Sequence, residues 1–226
     1  KIIRPSYTNL PAINFPWDEV KPLLKKGDII FTRADTAFSK SFQYVSTWVH
    51  AGMVYDLEAD KTIESFYPDG VREYKPKEEW PKGYSWSVKR VKPWLLSAQD
   101  AEIAVNLAKN LYEGKPYFPP MISSHRLRQD FVAEFSDKNN LSSFYCTKLV
   151  WRAYKWQGID LDSERTTAKV NNNFFQGYTD YGDENKWAWI GVSADDIYYS
   201  QYLDTDIWTY GLENLANTLP EWINVL

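Results

Sequence analysis

The chain has 226 residues, of which 44% are hydrophobic, and this composition predicts one folded domain over residues 1–226. Its formal charge of −4 disfavours nucleic acid as a partner, because a surface of that sign repels phosphates. A single cysteine excludes an intramolecular disulfide and a zinc site built on several thiolates. The apolar stretches are far shorter than the about 18 residues of a membrane span, so no integral membrane segment is expected.

The first half of the chain predicts short strands separated by turns. After a proline-rich start with a short helix near Trp17, apolar runs bounded by Gly, Pro and Asp indicate five strands. Five strands in one block predict a small antiparallel sheet or half-barrel. Their expected ranges are 29–33, 49–55, 62–66, 71–74 and 84–91.

The second half of the chain predicts helices. Ser97 is placed to cap a helix that runs to about Tyr112 with apolar residues at 3.6-residue spacing, and Gly114 would end it. Residues 163–186 are polar and rich in asparagine, which is typical of a long loop, and Ser193 would cap a further helical turn. Strands followed by helices predict an α+β fold.

Another helix is expected over residues 144–157, with Ser142 or Ser143 as its cap and Gly158 as its stop. Cys146 would lie in its first turn. The unpaired N–H groups of a helix start carry about half a positive charge, which favours a thiolate and could stabilise an oxyanion. A cysteine in an apolar helix is also often simply part of the core, so both interpretations stay open.

Two residues of the predicted strands could complete a site with this cysteine. His50 lies on a strand beside Gly52, which would leave space for substrate, and it is a candidate general base. A hairpin folded about Leu57 would place Glu64 on the neighbouring strand and the same face, where its carboxylate could hold one ring nitrogen. An exposed histidine and a solvated carboxylate without any role are the alternatives. His125 is a competing base, but its cationic neighbours disfavour an imidazolium.

Six short segments occur in a distinctive order. They read KGDIIF at 26–31, VHAGMV at 49–54, IES at 63–65, GKPY at 114–117, FYCTKLVWRAY at 144–154 and VSADDI at 192–197. The histidine and glutamate precede the cysteine, which is the reverse of the papain order. Over about residues 26–200 the chain resembles the circularly permuted branch of the NlpC-type papain-like cysteine hydrolases, in particular the YiiX/YebB-like group. It departs from them at Thr147, Lys148 and Ala194, where members commonly have Ser, Glu and Pro.

The resemblance implies an α+β, permuted papain-like (NlpC-type) fold, in which a small antiparallel sheet or half-barrel packs against helices. It implies hydrolysis of an amide or ester, for which no metal or organic cofactor is needed. In that reaction Cys146 would attack the carbonyl carbon, His50 would transfer the proton, and Glu64 would orient His50.

The resemblance also implies secondary roles around this triad. The backbone N–H of Cys146 and the hydroxyl of Tyr145 would support the oxyanion. Tyr117 and Ser193 would line the cleft. The lysine at position 148, beside the nucleophile, could alter which substrate groups are accepted.

Three functions follow from these residues. The first is a cysteine peptidase or amidase acting on small peptides or other substrates that contain amino acids, such as the stem peptides of cell walls. The second is a lipid acyl hydrolase or acyltransferase related to lecithin-retinol acyltransferase, and the third is a non-catalytic module that binds glycans through its aromatic residues, which form 17% of the chain. Because members of the resembling group are often exported, we expect a cell-envelope or extracellular location. The sequence leaves the oligomeric state open.

Overall fold

The structure is a computed structural model that describes residues 11–36, 48–117, 138–163 and 192–211. Five α-helices are seen in these ranges, together with a 3₁₀ helix at Lys21–Leu23 that directly follows the first of them. The helices are α1 (Trp17–Val20), α2 (Pro76–Glu79), α3 (Ala98–Tyr112), α4 (Cys146–Lys155) and α5 (Ala194–Tyr198). The strands are β1 (Ile29–Ala34), β2 (His50–Asp56), β3 (Lys61–Phe66), β4 (Gly70–Tyr74), β5 (Gly83–Lys89) and β6 (Trp208–Tyr210).

The six strands form one antiparallel sheet in the order β4-β3-β2-β1-β5-β6. This confirms the predicted α+β class, and all five predicted strands are present with bounds that differ by one or two residues. Strand β6 is missing from the sequence prediction, because a three-residue strand carries too little alternation to be recognised.

Both faces of the sheet are covered. On one face, alternate residues such as Ile29 and Met53 pack against helices α3 and α4. On the other face, Ile30 and Val54 pack against an aromatic cluster that includes Phe15 and residues of α1. Strands buried on two sides read as continuous apolar runs, which is why β1 is buried along its whole length.

Helix α4 begins without a side-chain cap. Its first residue is Cys146, and Tyr145 at the N-cap position makes no side-chain capping bond. The predicted caps Ser142 and Ser143 are therefore wrong. The hydroxyl of Ser142 instead donates to Asn140 Oδ1 at 2.7 Å, and the chain does not become helical until Cys146, four residues later. Because the N-cap side chain makes no bond to the first turn, the backbone N–H groups there stay available to the site around the cysteine.

The two other predicted serine caps are confirmed. Ser97 Oγ accepts a hydrogen bond from the backbone N–H of Asp100 at 3.1 Å, and α3 ends at Tyr112 as expected. Ser193 Oγ accepts from Asp196 N–H at 3.0 Å, while Asp196 Oδ2 accepts from Ser193 N–H at 2.9 Å. This reciprocal pair is a capping box that fixes the start of α5.

Some predictions fall outside the described residues. They are His125 and nearly all of the polar loop 163–186. In the ranges that are described, no helix has the length and apolar character needed to cross a membrane.

Candidate active site

The thiol of Cys146 lies where the start of α4 meets the start of β2. Cys146 is 7% exposed. Its sulfur accepts backbone N–H groups from Thr147 in the first turn of α4 and from Ala51 on β2, and it forms a hydrogen bond with the side chain of His50. The helix therefore supplies the cysteine and one donor, while the sheet supplies the histidine and a second donor.

Three hydrogen bonds hold this end of α4 in place. Ser65 on β3 donates its hydroxyl proton to the carbonyl of Phe144 at 2.6 Å. Thr147 donates to the carbonyl of Val192 at 2.5 Å, and the backbone N–H of Val192 donates to the hydroxyl of Tyr145 at 2.9 Å. The position of the thiol is thus fixed from both the sheet and the segment before α5.

The charges of Cys146 and His50 support one another. Burial alone raises the pKa of the Cys146 thiol, but the charge and hydrogen bond of His50 and the two backbone N–H groups outweigh it, so its pKa lies below the ordinary value. Burial alone lowers the pKa of His50, yet the interactions with Cys146 and then Glu64 raise it to about 10. At neutral pH this arrangement favours a thiolate beside an imidazolium.

His50 binds Glu64 through the ring nitrogen that faces away from the thiol. Its Nε2 forms a hydrogen bond with Oε2 of Glu64, and the two residues are 8% and 0% exposed. Since Nε2 is engaged by the carboxylate, Nδ1 is the nitrogen left for the sulfur of Cys146. An imidazolium has a donor at both positions, so it can serve both partners at once.

The hairpin that carries His50 and Glu64 differs from the prediction by two residues. Met53 pairs with Ile63, so the ladder places Glu64 opposite Gly52 rather than opposite His50. A β-bulge in β2 next to the turn shifts the register, which a symmetric hairpin about Leu57 does not include. A shift of two residues leaves each side chain on its original face of the sheet. His50 and Glu64 therefore lie on neighbouring strands and on the same face, as predicted, and the carboxylate reaches His50 diagonally across the two strands.

Gly52 has a different role from the one predicted. The space beside it was expected to be open to substrate, but it is filled by Glu64 and Trp80. A Cβ atom at Gly52 would lie 3.0 Å from Cζ2 of Trp80 and 3.3 Å from Cδ of Glu64. The glycine lets the carboxylate and the indole ring cross β2 closely enough to reach the histidine.

Three further residues surround the His50–Glu64 pair and are absent from the sequence prediction. Oε1 of Glu64 accepts the hydroxyl proton of Thr62 at 2.6 Å and the indole N–H of Trp80. The ring of His50 meets Phe66 at 4.8 Å and Trp80 at 5.2 Å, both in T-shaped geometry. Thr62 and Phe66 share the face of Glu64 on β3, so strand alternation could have found them. Trp80 follows α2 and carries no local signal.

The predicted secondary residues are distributed around this pair. Tyr145 is 3% exposed, burial raises the pKa of its hydroxyl, and that hydroxyl accepts from Val192. Tyr117 is half-buried, and burial together with the charge of Cys146 raises the pKa of the Tyr117 hydroxyl. Tyr117 therefore lies close enough to Cys146 to interact with it electrostatically. Its ring meets Tyr67, which is 46% exposed, at 6.0 Å. The oxyanion and cleft roles of the two predicted tyrosines stay predictions.

Ser193 and Lys148 are the two remaining residues that the sequence singled out near the site. The hydroxyl of Ser193 is part of the capping box of α5, and its role in the cleft stays a prediction. Lys148 is 2% exposed, and its ammonium lies 5.4 Å from the centre of the Phe144 ring. Within the described residues, no three His, Cys, Asp or Glu side chains are grouped to hold a metal ion.

An antiparallel sheet that delivers a histidine to a cysteine at a helix start defines the papain-like class, here with the elements in permuted order. The family model described as "Permuted papain-like amidase enzyme, YaeF/YiiX, C92 family" matches residues 23–205. The chain belongs to this family of permuted papain-like amidases. The resemblance to the YiiX-like group is thereby confirmed, and the protein is a hydrolase.

The fold is also found in a solved structure. YiiX from Escherichia coli O157:H7, described there as a metalloprotein, is similar to this chain with a TM-score of 0.54 and 21% sequence identity. The match covers 80% of this chain and 94% of that one. At this identity the likeness establishes the fold alone. No curated protein matches the chain.

Proposed function

We propose that the protein is a cysteine amidase that cleaves an amide bond in small peptides through a triad of Cys146, His50 and Glu64. The observation that carries this proposal is the hydrogen-bonded series from the thiol through the imidazole to a fully buried carboxylate. Membership of an amidase family supports an amide as the bond that is cleaved.

The thiolate of Cys146 attacks the carbonyl carbon of the substrate, and the electron pair of the carbonyl moves onto its oxygen. The start of α4, which has no side-chain cap, offers positive charge and the predicted N–H donor of Cys146 to that oxyanion. The imidazolium of His50 then gives its Nδ1 proton to the leaving nitrogen as the carbon–nitrogen bond breaks, which leaves a thioester.

Water completes the cycle. Neutral His50 takes a proton from a water molecule, whose oxygen attacks the thioester carbon, and the carbon–sulfur bond breaks to release the acid. The thiolate and the imidazolium are then restored. Throughout, the charge of Glu64 stabilises the protonated form of His50 and keeps its ring in one orientation.

The substrate in this proposal is a small peptide or another molecule with an amino-acid part, and stem peptides of bacterial cell walls are the first choice. Tyr117 and the exposed ring of Tyr67 lie at the edge of the site, where aromatic faces would contact the acyl part of a ligand. An envelope or extracellular location is part of the same proposal.

Turnover of a panel of muropeptides and simple amide substrates tests this function. Cys146→Ala and His50→Ala should each lower kcat by about 10⁴-fold or more, because the triad acts as a unit. His125→Ala is the matched control, since it removes the only other histidine of the chain and should retain activity. Unchanged turnover in Cys146→Ala would contradict the proposal. Hydrolysis of lipid esters without any amide cleavage would contradict the substrate assignment alone.

A further inference from the structure

Each oxygen of the Glu64 carboxylate has its own partners. Oε2 faces Nε2 of His50, and Oε1 receives two donors, the hydroxyl of Thr62 and the indole N–H of Trp80. We infer that Thr62 and Trp80 are positioning residues that clamp Oε1 of Glu64, so that the carboxylate presents Oε2 to His50. This inference rests on the proposed function and adds to the triad the two residues that keep the Glu64 carboxylate aligned with His50.

The chemistry of the two donors fixes the role of Oε1 as an acceptor. An indole N–H can only donate, so the oxygen that it meets must accept. The single hydroxyl proton of Thr62 also goes to Oε1, because that contact is 2.6 Å long whereas its other acceptor, the carbonyl of Tyr74, is 3.4 Å away. A carboxylate that loses these two donors is no longer held in one orientation. A carboxylate turned away from Nε2 would no longer stabilise the imidazolium of His50.

The two clamp residues approach from different parts of the fold. Thr62 stands two residues before Glu64 on β3, so both side chains lie on one face. Trp80 comes from the segment after α2 and crosses β2 at Gly52, where an added Cβ would lie 3.0 Å from its ring and force a shift. Because the donors are held by separate elements, the carboxylate cannot rotate without breaking at least one of the two bonds.

Trp80 contacts the base as well as the carboxylate. Its ring lies edge-on to that of His50, with centroids 5.2 Å apart and an interplanar angle of 85°. Phe66 contacts the same imidazole at 4.8 Å. These two rings restrict rotation of the imidazole and keep water away from its bond to Glu64, which strengthens that bond. The clamp therefore acts on Cys146 only through Glu64 and His50.

The chain offers a matched control for each clamp residue. Trp86 stacks on Trp80 with centroids 5.4 Å apart, and both rings are buried, but the indole N–H of Trp86 has no hydrogen-bond partner. Thr32 is as completely buried as Thr62, and its hydroxyl also lacks a partner. Trp80→Phe and Trp86→Phe thus remove similar atoms from adjacent rings, but only the first removes a hydrogen bond. Thr62→Val and Thr32→Val form the same kind of pair.

The test is the pH dependence of Cys146 alkylation by iodoacetamide, measured with kcat and KM in the full chain. Trp80→Phe and Thr62→Val should shift the alkylation midpoint to higher pH and lower kcat at least tenfold, with KM within about twofold. Thr62→Ser should restore both quantities. Trp86→Phe and Thr32→Val should leave the midpoint and kcat as in the parent protein.

Two results would overturn the inference. One is an unchanged alkylation midpoint and kcat in both Trp80→Phe and Thr62→Val. The other is an equal shift of the alkylation midpoint in Trp80→Phe and Trp86→Phe, which would mean that ring volume matters and the hydrogen bond does not. If Trp80→Phe fails to fold, the Thr62→Val and Thr32→Val pair decides, because valine nearly matches threonine in shape.

Failure of the clamp can be told apart from failure of the proposed function. If Cys146 of the parent protein reacts only near the ordinary thiol pKa of about 8.5, the triad itself is wrong. The pKa of the His50 ring can be measured by NMR of labelled histidine. It tests the effect of Thr62 and Trp80 on the His50–Glu64 pair without relying on the reactivity of the thiol. It should fall in Trp80→Phe and Thr62→Val but not in their controls, and no fall in either would contradict the clamp.

Discussion

Replacing Glu64 by glutamine removes the negative charge of the site while leaving the size of the side chain nearly unchanged. The amide oxygen must take the place of Oε1, because the indole N–H of Trp80 can only donate and would oppose an amide NH₂ group there. The NH₂ group then faces Nε2 of His50, where the carboxylate now lies. That nitrogen would have to accept a hydrogen bond, so the ring could not carry its second proton.

The expected loss follows from two effects. Without an imidazolium partner, the pKa of Cys146 rises at least to the free-thiol value of about 8.5, which leaves about 3% thiolate at pH 7 and lowers the rate about 30-fold. The imidazolium also serves as general acid for the leaving group, and its loss costs about 10²-fold more. Glu64→Gln should therefore lower kcat/KM about 10³-fold or further.

Steady-state kinetics on an amide substrate and Cys146 alkylation across pH both measure this change. Glu73→Gln is the matched control, because Glu73 is a carboxylate of β4 that pairs with Lys61 and Lys109 away from the site. It should keep the parent kcat/KM. Activity within tenfold of the parent in Glu64→Gln would refute the reasoning, since the carboxylate charge would then be unnecessary.

Three further outcomes are expected. Because the pKa of His50 is raised to about 10 and that of Cys146 is lowered, kcat/KM should be flat through neutral pH and fall on the basic side near pH 10, and a basic limb near pH 7 would contradict this. The raised pKa of His50 also contributes to the free energy of unfolding; that contribution is full below the unfolded-histidine pKa of about 6.5 and should be lost as the pH rises to about 10. Gly52→Ala should cost about 1–3 kcal/mol in urea unfolding and lower kcat, because its Cβ would lie 3.0 Å from Trp80, whereas full activity would show that the contact relaxes freely. Thr32→Val should leave Tm unchanged or raise it, since it removes a buried hydroxyl without a partner, and a clear fall in Tm would show that the hydroxyl is satisfied after all.

Much of the fold could be predicted because strands and helix caps are local features. The apolar runs gave five of the six strands, and Ser97 and Ser193 cap the helices that they were expected to cap. The start of α4 was misplaced because Ser142 binds its own neighbour Asn140, and propensity does not distinguish that turn from a cap.

The proximity of the three main candidate residues was predictable from the sequence, whereas the residues around them were not. Cys146, His50 and Glu64 could be selected because a helix start and two adjacent strands bring them together. The register of the hairpin could not be fixed, since it depends on a β-bulge. Trp80 could not be found, because only the tertiary fold brings a residue after α2 across β2 at Gly52.

The most direct test of the central claim is the rate of Cys146 alkylation by iodoacetamide across pH in the parent protein, His50→Ala and His125→Ala. The account predicts rapid reaction that persists well below pH 8.5 in the parent and in His125→Ala, because a thiolate is held by His50. In His50→Ala the midpoint should rise above 8.5, since burial then acts on the thiol without an opposing charge. An identical profile in the parent and in His50→Ala would contradict the account.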